Sequence, residues 1–123
     1  MIVGTVNSRL EAAIVLVVYD PAGAAHSFDV AIDTGYNGEL TLPTADVARL
    51  GLAWLWMTDH ILADGSIQRL DVYSATVEWD GTPRPVRVVA LDPSPLLGMR
   101  VLDGHDVFLR VKAGGIARID VSP

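Results

Sequence analysis

Short runs rich in β-branched residues, separated by Gly, Pro, Asn and Asp, recur along almost the whole chain. This is the pattern of an all-β domain built from short antiparallel strands, and helical periodicity is scarce. A first hairpin is expected from IVGTV, a turn around Asn7 and Ser8, and EAAIVLVVY, whose unbroken apolar character predicts burial on both faces. Asp20-Pro21-Ala22-Gly23 supplies turn chemistry, and the chain returns as SFDVAI. In that strand Phe28, Val30 and Ile32 share one face, whereas Ser27, Asp29, Ala31 and then Asp33 share the other. ELTL reads as a further strand with Leu40 and Leu42 inward. Residues 43–50, PTADVARL, read as a helix opened by Pro43 and ended by Gly51.

The second half opens with a long hairpin, WMTDHILADGSIQRLDVYSATVEWDG, whose tip is Ala63-Asp64-Gly65. Its apolar phase switches near Val72, which predicts a bulge or a strand passing from solvent onto the core. After Gly81 to Pro85, VRVVAL is a strand that the cluster Asp92-Pro93-Ser94-Pro95 stops. A short helix is expected from about Met99 within LLGMRVLDG. Strands DVFLRVK and GIARIDV then flank Ala113-Gly114-Gly115. No repeat or linker interrupts the chain, which reads as one domain over 1–123.

Composition narrows the partners. With 50% hydrophobic and 20% charged residues, the chain has the balance of one soluble globular domain. A net charge of −6, with nine scattered basic residues, argues against nucleic acid and against anionic membranes. Cysteine is absent, which removes disulfides, thiolate ligation and a Cys nucleophile. The most apolar run, AAIVLVVY, is far shorter than the ~20 residues that cross a bilayer. Small residues follow it in PAGAA, but Glu11 cancels Arg9 ahead of it, so no positive n-region precedes it. The run is read as a core strand and the protein as cytoplasmic.

Several chemistries lack their residues. GTPRP and KAGGI have the wrong spacing for a phosphate loop. Ser27, Ser66 and Ser74 sit outside any nucleophile elbow, and His26, His60 and His105 lie too far apart for short metal-ligand spacing. An EF-hand reading starting at Asp33 fails because its third position is Gly35 and its twelfth is Thr44. No metal and no cofactor is expected. What remains is Asp33-Thr34-Gly35. Alone it reads as a turn, because Asp before Gly is a common turn arrangement. Here it follows an apolar strand, leads into another, and is joined further along by Leu96-Leu97-Gly98 and the short helix.

With these two signatures in an all-β chain of this length, the sequence resembles the retroviral-type (retropepsin-like) single-domain aspartic proteases. The likeness is greatest to their bacterial relatives, whose active-site loop reads DTG followed by an aromatic residue, Asn or Asp, and Gly. The resemblance implies a closed or partly open antiparallel β-barrel of the acid-protease type, with one or two short helices and a flap hairpin over residues 56–73. It also implies an aspartic endopeptidase acting on peptide or protein substrates. Asp33, Thr34 and Gly35 would form the catalytic loop, and Tyr36, Ala63, Asp64 and Gly65 would belong to the substrate cleft and flap. Only one Asp-Thr-Gly is present, so such an enzyme requires a homodimer in which two Asp33 carboxylates meet. IVGTV and IARIDV would supply the dimer sheet. Two other readings stay open at this point: a protease-fold dimer that binds peptides or assembles without hydrolysing them, and a monomeric β domain in which Asp33 is a turn residue.

Overall fold

A computed structural model describes residues 1–123. The first half consists of β1 (Ile2–Val6), β2 (Ala12–Tyr19), β3 (Ala25–Ile32), β4 (Leu40–Leu42) and the helix α1 (Thr44–Leu50). The second half holds β5 (Ala53–Ile61), β6 (Ile67–Trp79), β7 (Thr82–Ala90), β8 (Leu96–Leu97), α2 (Met99–Leu102), β9 (His105–Leu109) and β10 (Ile116–Val121). The strands form one sheet in the order β5-β6-β7-β4-β8-β3-β2-β1-β10-β9, and an added β6–β2 pairing closes six of them into a ring. Pairing is mostly antiparallel. The exceptions are β3 with β8 and β4 with β7, which run parallel and depart from the purely antiparallel expectation.

The alternation read in SFDVAI is realised. Val30 is fully buried, Phe28 and Ile32 pack against the core, and Ser27 and Asp29 are exposed. Leu40 and Leu42 are likewise fully buried. Between them Thr41 is also buried, and its hydroxyl oxygen accepts the Leu96 N–H at 3.0 Å, which satisfies a buried polar group and fixes β8 beside β4. Helix α1 has Pro43 as its N-cap and ends at Gly51 in the left-handed conformation. Its first turn is capped from afar: the Asp92 carboxylate accepts from the Thr44 N–H (3.0 Å) and from the Thr44 hydroxyl.

Two expectations are corrected. β2 is not buried on both faces: Ile14, Leu16 and Val18 point into the barrel, while Val15 is 64% exposed. One face of the ring points to solvent, so an apolar run here marks a strand without marking double burial. The strand after Gly81 begins at Thr82 rather than beyond Pro85. The connection Asp80-Gly81, with φ of 51° and 81°, makes a two-residue hairpin that pairs Trp79 with Thr82. Pro83 and Pro85 then face Glu78 and Thr76 at alternate positions whose nitrogens point away from β6, so neither proline removes a ladder bond. IARIDV lies inside the sheet, where β10 pairs with β1 on one side and β9 on the other. The phase switch near Val72 does coincide with an irregularity, on the partner strand, where the β5–β6 register shifts between Trp54 and Trp56.

Two of the three histidines make separate contacts within the fold. His26 meets Asp20 at 2.9 Å. His105 Nε2 accepts the Trp79 indole N–H at 3.1 Å, and its Nδ1 lies 3.0 Å from the Asp103 carbonyl, which selects the neutral Nδ1–H tautomer. Because Leu40 lies where β4 meets both β7 and β8, Leu40→Ala is expected to lower the unfolding free energy by ~2–5 kcal/mol. Urea unfolding followed by circular dichroism measures it, and a loss under ~1 kcal/mol would contradict a close-packed barrel centre.

Candidate active site

β3 and β4 are consecutive strands but not neighbours: β8 is inserted between them, parallel to β3 and antiparallel to β4. The loop of residues 33–39 must therefore arch over the end of β8, and backbone hydrogen bonds fix it there. The Asp33 N–H donates to the Leu97 carbonyl at 2.9 Å, prolonging β3 by one residue. On the return limb the Gly98 N–H donates to the Glu39 carbonyl (2.7 Å), the Met99 N–H to that of Tyr36 (2.8 Å) and the Arg100 N–H to that of Gly38 (3.1 Å). The close approach requires glycine: a Cβ on Gly98 would collide with the Gly38 carbonyl oxygen and lie 2.6 Å from Tyr36 Cδ2.

Within the loop the Gly35 N–H donates to Asp33 Oδ1 at 2.9 Å, and the Tyr36 N–H closes a turn onto the Asp33 carbonyl at 3.2 Å. One carboxylate oxygen is thereby oriented by the backbone, while Oδ2 accepts no hydrogen bond from the chain. A Cβ on Gly35 would sit 3.3 Å from Oδ1. Asp33 is half-buried, and Thr34 and Gly35 are exposed. The arrangement presents a fixed carboxylate at the end of a strand, with one oxygen left free of the chain.

A cleft of ≈ 180 Å³ opens next to this loop. Tyr36, Glu39 and Arg100 line one side, Trp56 and Thr58 of β5 another, and Arg87 of β7 completes it over Val72 and Val89. Burial pushes the Tyr36 phenol above its ordinary pKa, with the Glu39 charge adding to the effect, so its hydroxyl stays protonated. The Arg87 guanidinium carbon lies 4.8 Å from the Trp56 ring centroid.

No protein-family model matches the chain, and no curated protein matches it in sequence. Solved structures do. A retropepsin-like aspartic protease from Rickettsia conorii superimposes with a TM-score of 0.60, at 16% identity, covering 98% of this chain and 91% of its own. EIAV protease, solved in complex with the inhibitor HBY-793, superimposes with a TM-score of 0.54, at 20% identity, covering 76% of this chain and 86% of its own. The chain has the retropepsin-like fold.

On this retropepsin-like frame the residues singled out in the sequence divide into two groups. Asp33, Thr34 and Gly35 occupy one clamped loop, and Tyr36 turns from it into the cleft. Ala63, Asp64 and Gly65 lie apart, at the exposed tip of the β5–β6 hairpin, and none of them lines the cleft. The tip is a longer loop than Asp-Gly alone predicts: Leu62 and Ser66 are joined by a backbone bond of 2.8 Å, and Gly65 N–H donates to Leu62 at 2.9 Å. Asp64 is engaged in its own turn, accepting the Ser66 hydroxyl at 2.6 Å and the Ser66 N–H at 2.9 Å. Trp56, Arg87 and Arg100 carry no local sequence signal of a site. They lie on separate elements, and no motif links them.

Two predictions follow from this geometry. Gly98→Ala is expected to displace the Asp33 loop and destabilise the fold by ~1–3 kcal/mol. Amide chemical shifts of residues 33–39 would report the displacement, and an unperturbed loop spectrum would refute the clamp. The Ser66 hydroxyl bond, followed by its N–H bond, holds the Asp64 carboxyl below the usual carboxylate range. Asp64 therefore keeps its charge as pH falls through that range, and protonates only lower. Ser66→Ala should raise its midpoint toward the ordinary value in an NMR titration, and an unchanged midpoint would contradict this assignment.

Proposed function

We propose that the chain is an aspartic endopeptidase that works as a homodimer, with Asp33 of each subunit at a shared site. The observation that carries this reading is the Asp33 carboxylate itself: one oxygen is tied to the Gly35 N–H, and the other is unengaged at the exposed end of a clamped loop. The likeness of the fold to two aspartic proteases supports it.

Hydrolysing a peptide without a covalent intermediate requires one group to take a proton from water and another to give one to the carbonyl oxygen and then to the departing nitrogen. One carboxylate cannot hold both roles at once. Two carboxyls a few Å apart can, because like charges resist simultaneous ionisation and the pair holds a single proton over a range of pH. The ionised member takes the proton of the attacking water, and the protonated member donates to the carbonyl oxygen, giving a tetrahedral diol. Its collapse, with a proton delivered to the nitrogen, breaks the C–N bond. A two-fold axis next to Asp33 supplies the second carboxyl from the same residue of the partner. The β5–β6 hairpin would cover an extended peptide and exclude water. Met99, beside the loop and 43% exposed, offers apolar surface for a partner to cover.

Asp33→Asn is expected to reduce cleavage of an unbiased peptide library by at least ~10²-fold at every pH, while sedimentation shows the same dimer as the wild type. Cleavage that survives the substitution would exclude the mechanism. A wild-type dimer that binds peptides but cleaves none would favour the binding-module reading.

A further inference from the structure

The cleft beside the Asp33 loop gathers unpaired positive charge in a chain that is acidic as a whole. Although the protein carries a net charge of −6, most of its arginines are engaged by its own groups. Arg9 pairs with Glu11, Arg49 with Asp46, Arg69 with Asp59 and Arg118 with Asp120. Arg84 donates to the Val101 carbonyl at 3.0 Å. Arg110 lies on the Phe108 ring, and Arg110, Lys112, Arg87 and Arg100 enter no ion pair; of these, Arg87 and Arg100 line the same cleft. Glu39 lines it too, but neither guanidinium reaches salt-bridge distance of its carboxylate, so two cations face one anion there.

We infer that this cleft is a subsite for a carboxylate carried by the peptide substrate, received by Arg87 and Arg100. The inference rests on the peptidase reading of the same site and adds its substrate class. Three features fit. The Arg87 guanidinium lies over the Trp56 ring at 4.8 Å and donates to no group of the chain, so its donors are available for a bidentate carboxylate. The volume of ≈ 180 Å³ is below the ~300 Å³ at which small-molecule pockets begin, and suits one side chain or one chain terminus. The Tyr36 hydroxyl, kept protonated by burial, is a further donor on the same wall. Position argues likewise: Tyr36, Gly38 and Glu39 belong to the loop that begins at Asp33, and Trp56 and Thr58 to the covering hairpin, so the cleft borders the loop that carries the carboxylate. The charge of the whole chain repels anions at long range, so a single acid in an otherwise neutral peptide is favoured over a polyacidic one.

The test uses peptide pairs that differ only by Glu against Gln at each position in turn, each made with a free and an amidated C-terminus. Cleavage is measured with the wild-type dimer, and binding is measured by anisotropy with the Asp33→Asn variant. At one position, Glu should be preferred over Gln by about tenfold in kcat/KM and in affinity. Arg87→Met or Arg100→Met should cut that ratio to below about twofold, and Arg87→Lys, with a point charge and no fork, should leave it in between. A preference tied to the free C-terminus would identify the terminal carboxylate as the ligand, and one tied to Glu the side chain. Equal values for Glu and Gln at every position and for both termini would overturn the inference, as would a ratio that survives in both Met variants. If nothing is cleaved but Glu peptides bind tighter, the subsite stands and the peptidase reading falls. If no peptide binds at all, both fall.

Discussion

The geometry of the site depends on one backbone arrangement: Leu96, Leu97 and Gly98 threaded between two strands that the chain itself joins by a loop. Leu97 accepts the Asp33 N–H, and Gly98, Met99 and Arg100 donate back to Glu39, Tyr36 and Gly38, so the same short segment holds both limbs of the loop. Each such bond contributes only about 0.5–1.5 kcal/mol net, yet leaving any of them unmade in a buried setting costs more. The buried Leu97 side chain and the Thr41 hydroxyl keep the inserted strand in register. A carboxylate on a loop gains fixed geometry in this way from a rigid scaffold beneath it.

Asp33 is a turn acceptor, the role that sequence reading sets against a catalytic one. The chain uses aspartates repeatedly as turn and cap acceptors: Asp20 takes the N–H groups of Ala22 and Ala24, Asp64 that of Ser66, and Asp92 that of Thr44. Asp33 does the same with the Gly35 N–H. The comparison is most telling in the second oxygen. In Asp20 it meets His26, and in Asp92 it meets the Thr44 hydroxyl, whereas in Asp33 and in Asp64 it meets nothing in the chain; of these two, only Asp33 stands on a loop held by backbone bonds to the Leu97–Arg100 segment. A turn bond at one oxygen and chemistry at the other are compatible, and the first improves the second by fixing the carboxyl plane.

How far the sequence could be read follows from the range of the interactions involved. Period two is local, and it located Val30, Leu40 and Leu42 in the core and delivered Asp33 to a strand end. The left-handed Gly51 after α1 is also local. Ring closure is not: whether Val15 faces solvent depends on which side of β2 the barrel encloses. Prolines at alternate positions of β7 looked like a break because their tolerance depends on hairpin phase, which the Asp80-Gly81 turn sets. The cleft was least legible, because Trp56, Arg87 and Arg100 meet only through the tertiary fold and none carries a motif.

The sheet also limits how two copies can bring their Asp33 loops together. The resemblance assigned the dimer sheet to IVGTV and IARIDV, but these strands already pair with each other over Ile2–Thr5 and Ile116–Ile119. β10 is flanked by β9 along its other edge, and Val6 of β1 pairs with Ala12 of β2. A partner strand entering beside β10 would have to displace β9 and its ladder, which costs those bonds before any new ones form. The open edges of the sheet belong to β5, an arm of the covering hairpin, and to β9. β9 bears Val107, Phe108 and Leu109, all exposed. Within one chain the terminal strands pair with each other, so strand addition to an intact sheet has the β9 edge open to it, and Ile2–Gly4 of β1 pair on the β10 side alone.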